Sequence, residues 1–474
     1  MIDWKKLAED KSADLIKDVE ELISVESVRD DSKKTDDAPV GPGPKEGLLK
    51  VVEYWNRDGF DNQNLKNIVG FAEYKTDESD DDYLAILGHV DVMPAGDGWN
   101  TDPFVPVIKD GKLYGRGSSD DKGPTLAAYY GLKIVRDLKL PLKHKIRFIV
   151  GTDEENDWTG MDHYFATQPK PAFGFSPDAE FPIINGEKGL GQFEAHFKPQ
   201  NDGEIVLEDF TSGLRTNMVP GKATAIVLGS EDKLDQISEA FTRMIQDSSI
   251  LSGGPQNHHG QLLLVLNGKQ AHGAMPELGE NAATYLANFL SQFEFNKDAK
   301  YFLNFVGQAS HQDPEGKKVG IAIEDTVMGK LSYNIGILRF KNDRDGMINV
   351  NIRYPKGTDG EQIVNKLNQA IDPDWDAKFE ILGHNQEPHY VAPSDPIVKT
   401  LLDIYHDQTG LEAHDQVIGG GTYGRLMERG VAYGALFPDA EDTMHQANEY
   451  MRVDDIIRSA AIYAEAIYKL SNLD

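Results

Sequence analysis

An α/β fold is predicted, in which a helix-covered mixed sheet is interrupted along the chain by an α+β domain. Apolar runs at 83–87 and 145–151 indicate two buried strands. The segment 124–138 between them repeats large apolar residues every four positions, as a helix does. Strand, helix and strand in this order form the unit of a parallel sheet. After about Gly189 the predicted strands are grouped with amphipathic helices. After His384 the Gly-rich sequence pattern of the first part returns.

The change in pattern predicts a discontinuous first domain, residues 1–188 and 385–474, and an inserted domain at residues 189–384. The loop 40–44 contains Gly-Pro-Gly-Pro, which we expect to be neither helix nor central strand. Other elements are predicted from periodicity: helices at 13–25, 231–247, 280–293, 360–371 and 455–470, and strands within 191–228, 261–268 and 335–354.

Composition excludes several classes of protein. The net charge of −30 argues against nucleic acid and anionic membranes as partners. With 0 Cys, the chain has no thiol nucleophile, and a transition-metal site must use His and carboxylates. No run approaches the ~20 apolar residues of a membrane span, and the start lacks the apolar core of a signal peptide. We therefore expect a cytoplasmic protein.

Several residues can bind metal ions, and those up to Glu155 follow a predicted strand or precede a predicted helix, whereas Asp178 and His445 are weak signals when taken singly. The full set consists of His89, Asp91, Asp120, Glu154, Glu155, Asp178 and His445. Two histidines and several carboxylates spread over most of the chain indicate a two-metal hydrolase centre rather than a local zinc finger.

Each motif also has a simpler structural interpretation. His89 ends a strand, where open α/β sheets place ligands, and Asp91 can accept a proton from its ring, yet such a pair alone is usually structural. Ser119 or Asp120 can cap the helix that follows. Adjacent carboxylates such as Glu154-Glu155 usually lie in a solvated loop, although one can bind metal while the other accepts a proton. The Asp-rich run 77–82 lacks the Gly and final Glu of an EF-hand and is predicted to be a solvated turn.

The combination of motifs resembles a known family. The stretches that carry the resemblance are His89-Val90-Asp91, 115–123, 152–155, 176–180 and 444–449. In this order they are similar to the aminoacylase/carboxypeptidase-G-like metallopeptidases. The Gly-Pro-Gly-Pro loop, Ser-Pro-Asp-Ala-Glu-Phe-Pro and the 418–425 segment are similar to its peptidase V, carnosinase-like dipeptidase branch.

The resemblance implies a centre of two divalent ions, with Asp120 between them. His89 and Asp178 would complete one site, and Glu155 and His445 the other. Zn²⁺ suits this set best, and Mn²⁺ or Co²⁺ accept the same ligands. Glu154 would be the general base and Asp91 the partner of His89. Asp rather than Glu at 178 is typical of relatives that act on free amino ends.

The resemblance also makes the inserted domain a lid. His272 would stabilise the oxyanion, Asn217 would be a second polar contact, and Arg353 would bind the substrate carboxylate with its planar fork. Taken alone, His272 is typical of a surface turn, and Arg353 could be a salt-bridged strand residue. Gly420 and Gly421 would let backbone N–H groups approach the substrate.

The expected activity is hydrolysis of unblocked dipeptides by a monomer, with a water activated by two metal ions and Glu154 as base. One alternative is an N-acyl-amino-acid deacylase with the same centre. Another is a two-domain protein that binds peptides without cleaving them, although such a protein needs no base. The glycines of 419–424 also match a dinucleotide fingerprint, but the helix that could follow is too short.

Overall fold

The computed structural model describes residues 2–200, 203–258 and 260–473. Within these residues eleven α-helices are present. In chain order they are α1 (Trp4–Asp10), α2 (Ser12–Ile23), α3 (Pro42–Asp58), α4 (Lys122–Leu138), α5 (Thr159–Thr167), α6 (Glu231–Gln246), α7 (Ala282–Leu290), α8 (Lys297–Asn304), α9 (Gly360–Ala370), α10 (Pro396–Thr409) and α11 (Val453–Leu470). Short 3-10 turns cover Asp31–Lys33, Pro276–Leu278 and Tyr423–Leu426, and a π-helical turn covers Phe305–Ala309.

The strands of the described residues include several of only two or three residues. In chain order they are β1 (Asp61–Leu65), β2 (Val69–Tyr74), β3 (Asp80–His89), β4 (Val107–Lys109), β5 (Lys112–Tyr114), β6 (His144–Gly151), β7 (Phe173–Ser176), β8 (Ala179–Glu180), β9 (Ile184–Glu187), β10 (Gly189–Phe197), β11 (Ile205–Ser212), β12 (Lys222–Gly229), β13 (Ser252–His258), β14 (Gln261–Asn267), β15 (Glu324–Asp325), β16 (Gly329–Lys330), β17 (Ser332–Lys341), β18 (Gly346–Tyr354), β19 (Lys378–Gln386), β20 (His389–Tyr390), β21 (Gln416–Ile418), β22 (Gly430–Ala432), β23 (Ala435–Leu436) and β24 (Tyr450–Arg452).

Contacts divide the chain into two compact units. The first contains residues up to Gly186, Tyr390–Val417 and the chain from Gly421 onwards. The second contains Glu187–His389 and Ile418–Gly420. These borders lie close to the predicted ones at 188/189 and 384/385, with the addition of a three-residue segment that the periodicity did not indicate.

The first unit has a mixed sheet with strand order β1-β2-β6-β3-β7-β22-β9-β20, and β21 lies beside β9. Strand β3 pairs in parallel with β6 and β7, and β22 pairs in parallel with β7. Strands β1 and β2 are antiparallel. The carboxyl ends of β3, β6 and β7 therefore meet at one edge of the sheet, which is where ligands bind in open α/β sheets.

Alternate side chains of β3 pack on opposite faces of this sheet. Leu84 and Ile86 belong to a large core with α1 to α4, α10 and α11. Ala85 and Leu87 belong to a smaller core that includes Met161 of α5. Burial on both faces explains why the strand is a continuous apolar run rather than an alternating one.

The second unit is an antiparallel sheet with strand order β13-β14-β12-β11-β17-β18-β10-β19. Helices α6 to α9 cover one of its faces and share its apolar core. The predicted fold class, a helix-covered mixed sheet interrupted by an α+β region, is confirmed.

Two local predictions were wrong. The segment 40–44, which was expected to be a loop, contains the start of α3 at Pro42. Proline is tolerated in the first turn of a helix because the backbone N–H groups of that turn have no partner within the helix. The N-cap residue of α4 is Asp121, rather than Ser119 or Asp120. The side chain of Asp121 accepts no backbone N–H from the first turn of this helix.

In the described residues, no helix is both long and apolar enough to span a membrane.

Candidate active site

The first candidate metal group lies at the carboxyl edge of the first sheet. It contains His89 at the end of β3, Asp120 before α4, and Asp178 after β7, with one ligand atom of each within 4.8 Å of the others. His89 Nε2 lies 3.2 Å from Asp120 Oδ1 and 3.6 Å from Asp178 Oδ2. The end of β3, the loop before α4 and the end of β7 thus bring three predicted ligands together.

The second group contains Asp120, Glu155 and His445. His445 Nε2 lies 2.7 Å from Asp120 Oδ2 and 3.0 Å from Glu155 Oε1. His445 lies in the loop before β24. In this loop His445 and Asn448 each have a φ of 62°, a left-handed conformation that non-glycine residues rarely adopt. This loop brings the half-exposed His445 against Asp120, which precedes α4, and Glu155, which follows β6.

Asp120 belongs to both groups. Its Oδ1 faces His89 and its Oδ2 faces His445. A carboxylate with one oxygen toward each imidazole has the arrangement of a ligand that bridges two ions.

The buried Nε2 of His89 has no hydrogen-bond partner among the described residues. Its other ring nitrogen, Nδ1, lies 3.0 Å from the backbone carbonyl of Asp91 and must donate there, since a carbonyl only accepts. In neutral imidazole Nε2 then carries a lone pair that points at carboxylate oxygens. A cation between them would satisfy all of these atoms, so the residues fit a divalent metal ion.

The electrostatics agree with this fit. Burial alone lowers the pKa of His89, but the carboxylates of Asp120, Asp178 and Asp91 outweigh it and raise that pKa well above its usual value. For His445 burial is likewise outweighed by Asp120 and Glu155, which raise its pKa to about 11. Each histidine therefore attracts positive charge, which either a proton or a metal ion can supply.

Asp91 contacts more than its predicted partner. Its carboxylate Oδ1 lies 3.4 Å from His89 Nδ1, so the predicted neighbours are adjacent. The same carboxylate accepts the backbone N–H groups of Glu154 at 3.0 Å and Glu155 at 3.1 Å. Asp91 thus contacts a ligand of the first group through its backbone carbonyl, and the backbone of the Glu pair through its carboxylate.

Glu154 belongs to neither metal group of the described residues. Burial raises its pKa well above the usual value, and the negative charge of Asp178 adds to this effect. Glu154 thus combines a raised affinity for protons with a position next to Glu155 of the second group.

In the second unit, His272 and Asn217 lie on adjacent segments. Gly273 N–H donates to Asn217 O at 2.7 Å, and Met218 pairs with His272 in an isolated bridge. Nδ1 of His272 accepts the N–H of Ala274 at 3.3 Å. The atoms packed around the ring and the charge of Arg353 lower its pKa. A neutral His272 would therefore present Nε2–H as a donor.

Arg353 is 6% exposed and lies near the end of β18. Its Nη1 donates to Gly419 O at 2.8 Å, and its Nε donates to Asn351 Oδ1 at 3.3 Å. The arginine is therefore held by the glycine-rich segment that contains Gly420 and Gly421, the predicted substrate contacts.

The two candidate glycines belong to different compact units. Gly420 belongs to the second unit and Gly421 to the first. The 3-10 turn that follows covers only Tyr423–Leu426, so no helix begins at these glycines and the dinucleotide fingerprint is excluded.

A third group, Asp80, Asp82 and His144, lies at the opposite ends of β3 and β6. His144 Nε2 lies 3.0 Å from the carbonyl of Leu473, and Nδ1 lies 2.9 Å from Asp80 Oδ1. Both ring nitrogens of His144 are occupied by these oxygen contacts, so neither is left to bind a metal ion.

The chain is similar to known peptidases over most of its length. The model of peptidase family M20/M25/M40 matches residues 85–469. The chain belongs to this family. The Beta-Ala-Xaa dipeptidase of Lactobacillus delbrueckii subsp. lactis is 42% identical, over 99% of this chain and 98% of that protein. The predicted family and the prediction of a metallopeptidase, a hydrolase of peptide bonds, are confirmed.

Solved structures share the fold at low sequence identity. A di-peptidase of Saccharomyces cerevisiae aligns with a TM-score of 0.60 and 13% identity, over 99% of this chain and 98% of that chain. Human carnosine dipeptidase 1 aligns with a TM-score of 0.56 and 15% identity, over 99% of each chain.

Two buried carboxylates near the M20 metal groups were not predicted as site residues. Asp121 Oδ2 accepts the backbone N–H of His89 at 3.3 Å and the hydroxyl of Thr125 at 2.6 Å. Glu449 accepts backbone N–H groups of the Asp120 loop. Both stand in stretches that carry the family resemblance, which was the available signal, but the His89 partner of Asp121 and the loop partners of Glu449 lie 32 and about 330 positions away along the chain.

Proposed function

We propose that this M20 protein is a two-metal dipeptidase that hydrolyses unblocked dipeptides, including β-alanyl dipeptides. The observation that carries the proposal is Asp120, whose two oxygens face His89 and His445 in two separate groups of three ligands. The inclusion of β-alanyl substrates rests on the relative named Beta-Ala-Xaa dipeptidase, which is 42% identical over nearly the whole chain.

His89, Asp120 and Asp178 would hold one ion, and Asp120, Glu155 and His445 the other. We propose Zn²⁺ as the native metal, since imidazole and carboxylate suit it, with Mn²⁺ or Co²⁺ as substitutes. Two bound ions would lower the pKa of a water molecule toward neutrality and polarise the scissile carbonyl.

The residues of the chain supply the proton transfers. Glu154 accepts a proton from the attacking water and returns it to the leaving amine. Asp91 holds both the ring of His89 and the backbone of Glu154, so that the base and one ligand keep a constant separation.

The second unit is proposed to act as a lid that contributes three contacts. His272 would donate Nε2–H to the developing oxyanion, and loss of one such donor typically costs about 10²–10³ in rate. Asn217 would be a second polar contact. Arg353 would bind the substrate carboxylate, with backbone groups of Gly420 and Gly421 beside it.

We further propose that the enzyme acts in the cytoplasm as a monomer. Size-exclusion chromatography with light scattering, and fractionation of the native cells, would measure these two properties directly.

The deciding experiment compares substrates and metal states. Free dipeptides, β-alanyl dipeptides, and N-acetyl and N-succinyl amino acids are assayed with untreated, chelator-stripped and metal-restored protein. We expect hydrolysis of dipeptides that stops on chelation and returns with Zn²⁺, Mn²⁺ or Co²⁺. Full activity of stripped protein would overturn the metal mechanism, and a preference for N-acyl amino acids would instead identify a deacylase.

A further inference from the structure

Glu449 is buried beside the metal groups without belonging to either. It lies four residues after His445 and directly before β24, and its side chain is 0% exposed. Burying a charged carboxylate is costly unless hydrogen bonds compensate for the lost water. The contacts of Glu449 therefore identify the part of the structure that this buried carboxylate stabilises.

Within the described residues, the hydrogen bonds of its carboxylate go to the loop that carries Asp120. Oε1 accepts the backbone N–H groups of Gly117 at 3.1 Å, Ser119 at 2.9 Å and Asp120 at 3.1 Å. Oε2 accepts the N–H of Gly117 at 3.2 Å and Nη1 of the buried Arg116 at 2.6 Å. Three backbone donors and one guanidinium thus converge on one side chain.

The backbone strengthens the same connection. Gly115 N–H donates to Glu449 O at 3.1 Å, and Tyr114 of β5 pairs with Tyr450 of β24. The loops that carry Asp120 and His445 therefore leave neighbouring strands. Glu449 joins them at the point where their ligand atoms, Asp120 Oδ2 and His445 Nε2, are 2.7 Å apart.

We propose that Glu449 is a positioning residue that sets the affinity of the second metal group by holding the Asp120 loop against the His445 loop. This inference rests on the proposed two-metal function. A carboxylate is needed because all of its partners are donors. A glutamine would turn an N–H₂ group toward one of them and would lose the charge that Arg116 faces. Loss of such a supporting contact typically reduces metal affinity about 10- to 100-fold.

The test measures metal binding to the full chain rather than activity alone. Metal-free wild type and Glu449→Gln are dialysed against buffered free Zn²⁺, and ions per chain are counted at each concentration. Wild type should take up two ions. In Glu449→Gln one of the two uptake steps should shift to about 10- to 100-fold higher free Zn²⁺, and added Zn²⁺ should restore dipeptide hydrolysis.

Asp18→Asn is the matched control, because Asp18 is a buried carboxylate of the same unit that faces Arg57 at 2.8 Å, away from both groups. Its zinc curve should match wild type. Equal zinc curves for wild type and Glu449→Gln would overturn the proposal, as would an equal shift in Asp18→Asn, which would indicate general destabilisation. A wild type that binds no metal would instead refute the proposed function.

A second measurement does not depend on folding of the variant. In metal-free wild type, the amides of Gly117, Ser119 and Asp120 should exchange with deuterium slowly, because Glu449 already binds them without metal. Exchange at the rate of freely exposed amides would contradict a preformed loop and overturn the proposal.

Discussion

At the scale of single residues, Glu154 and Glu155 are sequence neighbours with different surroundings. Asp91 accepts the backbone N–H of each, which holds the pair in place. Only the side chain of Glu155 joins a metal group, 3.0 Å from His445 Nε2. The two side chains are therefore expected to have different tasks.

We predict that Glu154→Gln and Glu155→Gln fail in different ways. Glu154→Gln keeps size and hydrogen bonding but cannot accept a proton, so turnover should fall by about 10²–10⁴ while both ions remain. Glu155→Gln should instead lose one ion more readily. Metal content and steady-state rates of both variants check this, and identical metal content with identical residual activity would remove the assignment.

The role of Arg353 can also be tested by substitution. The guanidinium is nearly buried and donates to Gly419 O, so its position relative to the glycine segment is constrained. A planar fork can hold both oxygens of a carboxylate, which a lysine ammonium cannot do.

We predict that Arg353 discriminates dipeptide acids from dipeptide amides. An amide would leave the arginine without its anionic partner, at a cost of roughly 2–5 kcal/mol. Wild type should strongly prefer the acid, Arg353→Ala should lose most of this preference, and Arg353→Lys should remain impaired. The measurement is kcat/KM for a matched acid and amide. Unchanged discrimination in Arg353→Ala would place the carboxylate elsewhere, most simply on the backbone of Gly420 and Gly421.

At the scale of elements, close contact between β3 and α4 supports the first metal group. A Cβ at Gly88, near the end of β3, would lie 2.1 Å from Thr125 Oγ1 and 3.2 Å from Asp121 Oδ2. The same Asp121 oxygen accepts the Thr125 hydroxyl and the His89 N–H. Glycine at this position therefore lets the strand end and the helix start approach each other.

We predict that Gly88→Ala lowers the free energy of unfolding by about 1–3 kcal/mol, as overpacking does, and weakens metal binding. Gly254→Ala in β13 is the control, because a Cβ there would contact nothing within 4 Å. Urea unfolding and zinc titration of both variants provide the measurements. Wild-type stability in Gly88→Ala would show that Thr125 can move away without cost.

At the scale of the whole molecule, the metal groups link stability to pH. Burial, followed by the charge of Asp120, raises the pKa of Glu155 from 4.5 to about 7. Between these values the folded metal-free protein binds more protons than the unfolded chain, so its stability falls as pH rises. His445, with its pKa raised to about 11, contributes stability that is fully present below about 6.5 and lost toward 11.

Metal ions must displace these protons, so metal binding has the opposite pH dependence. We predict that the increase in Tm caused by a fixed free Zn²⁺ concentration grows from pH 5.5 to pH 8. For each displaced proton, the apparent affinity should rise about tenfold per pH unit. Thermal melts of metal-free and zinc-loaded protein across this range test it. A constant difference in Tm would mean that the ions bind without displacing protons.

The fold class and the candidate ligands at or just after the ends of β3 and β6 could be predicted from the sequence pattern. The apolar run before His89 marks a strand buried on both faces, and the carboxyl ends of parallel strands meet at one edge. Local pattern was therefore enough to predict that His89 and the Glu154-Glu155 pair lie close together, whereas Asp178 and His445 were assigned to the centre by the family resemblance.

The contacts that hold these residues in place join distant segments and could not be predicted from local pattern. Glu449 binds the N–H of Asp120 across 329 positions of sequence, and Asp91 binds the Glu154 backbone across 63. Periodicity reports the local backbone and its burial, whereas a hydrogen bond between distant segments depends on how strands and loops pack. For the same reason the left-handed turn at His445 could not be foreseen, since its strained backbone is stable only because the surrounding contacts hold it.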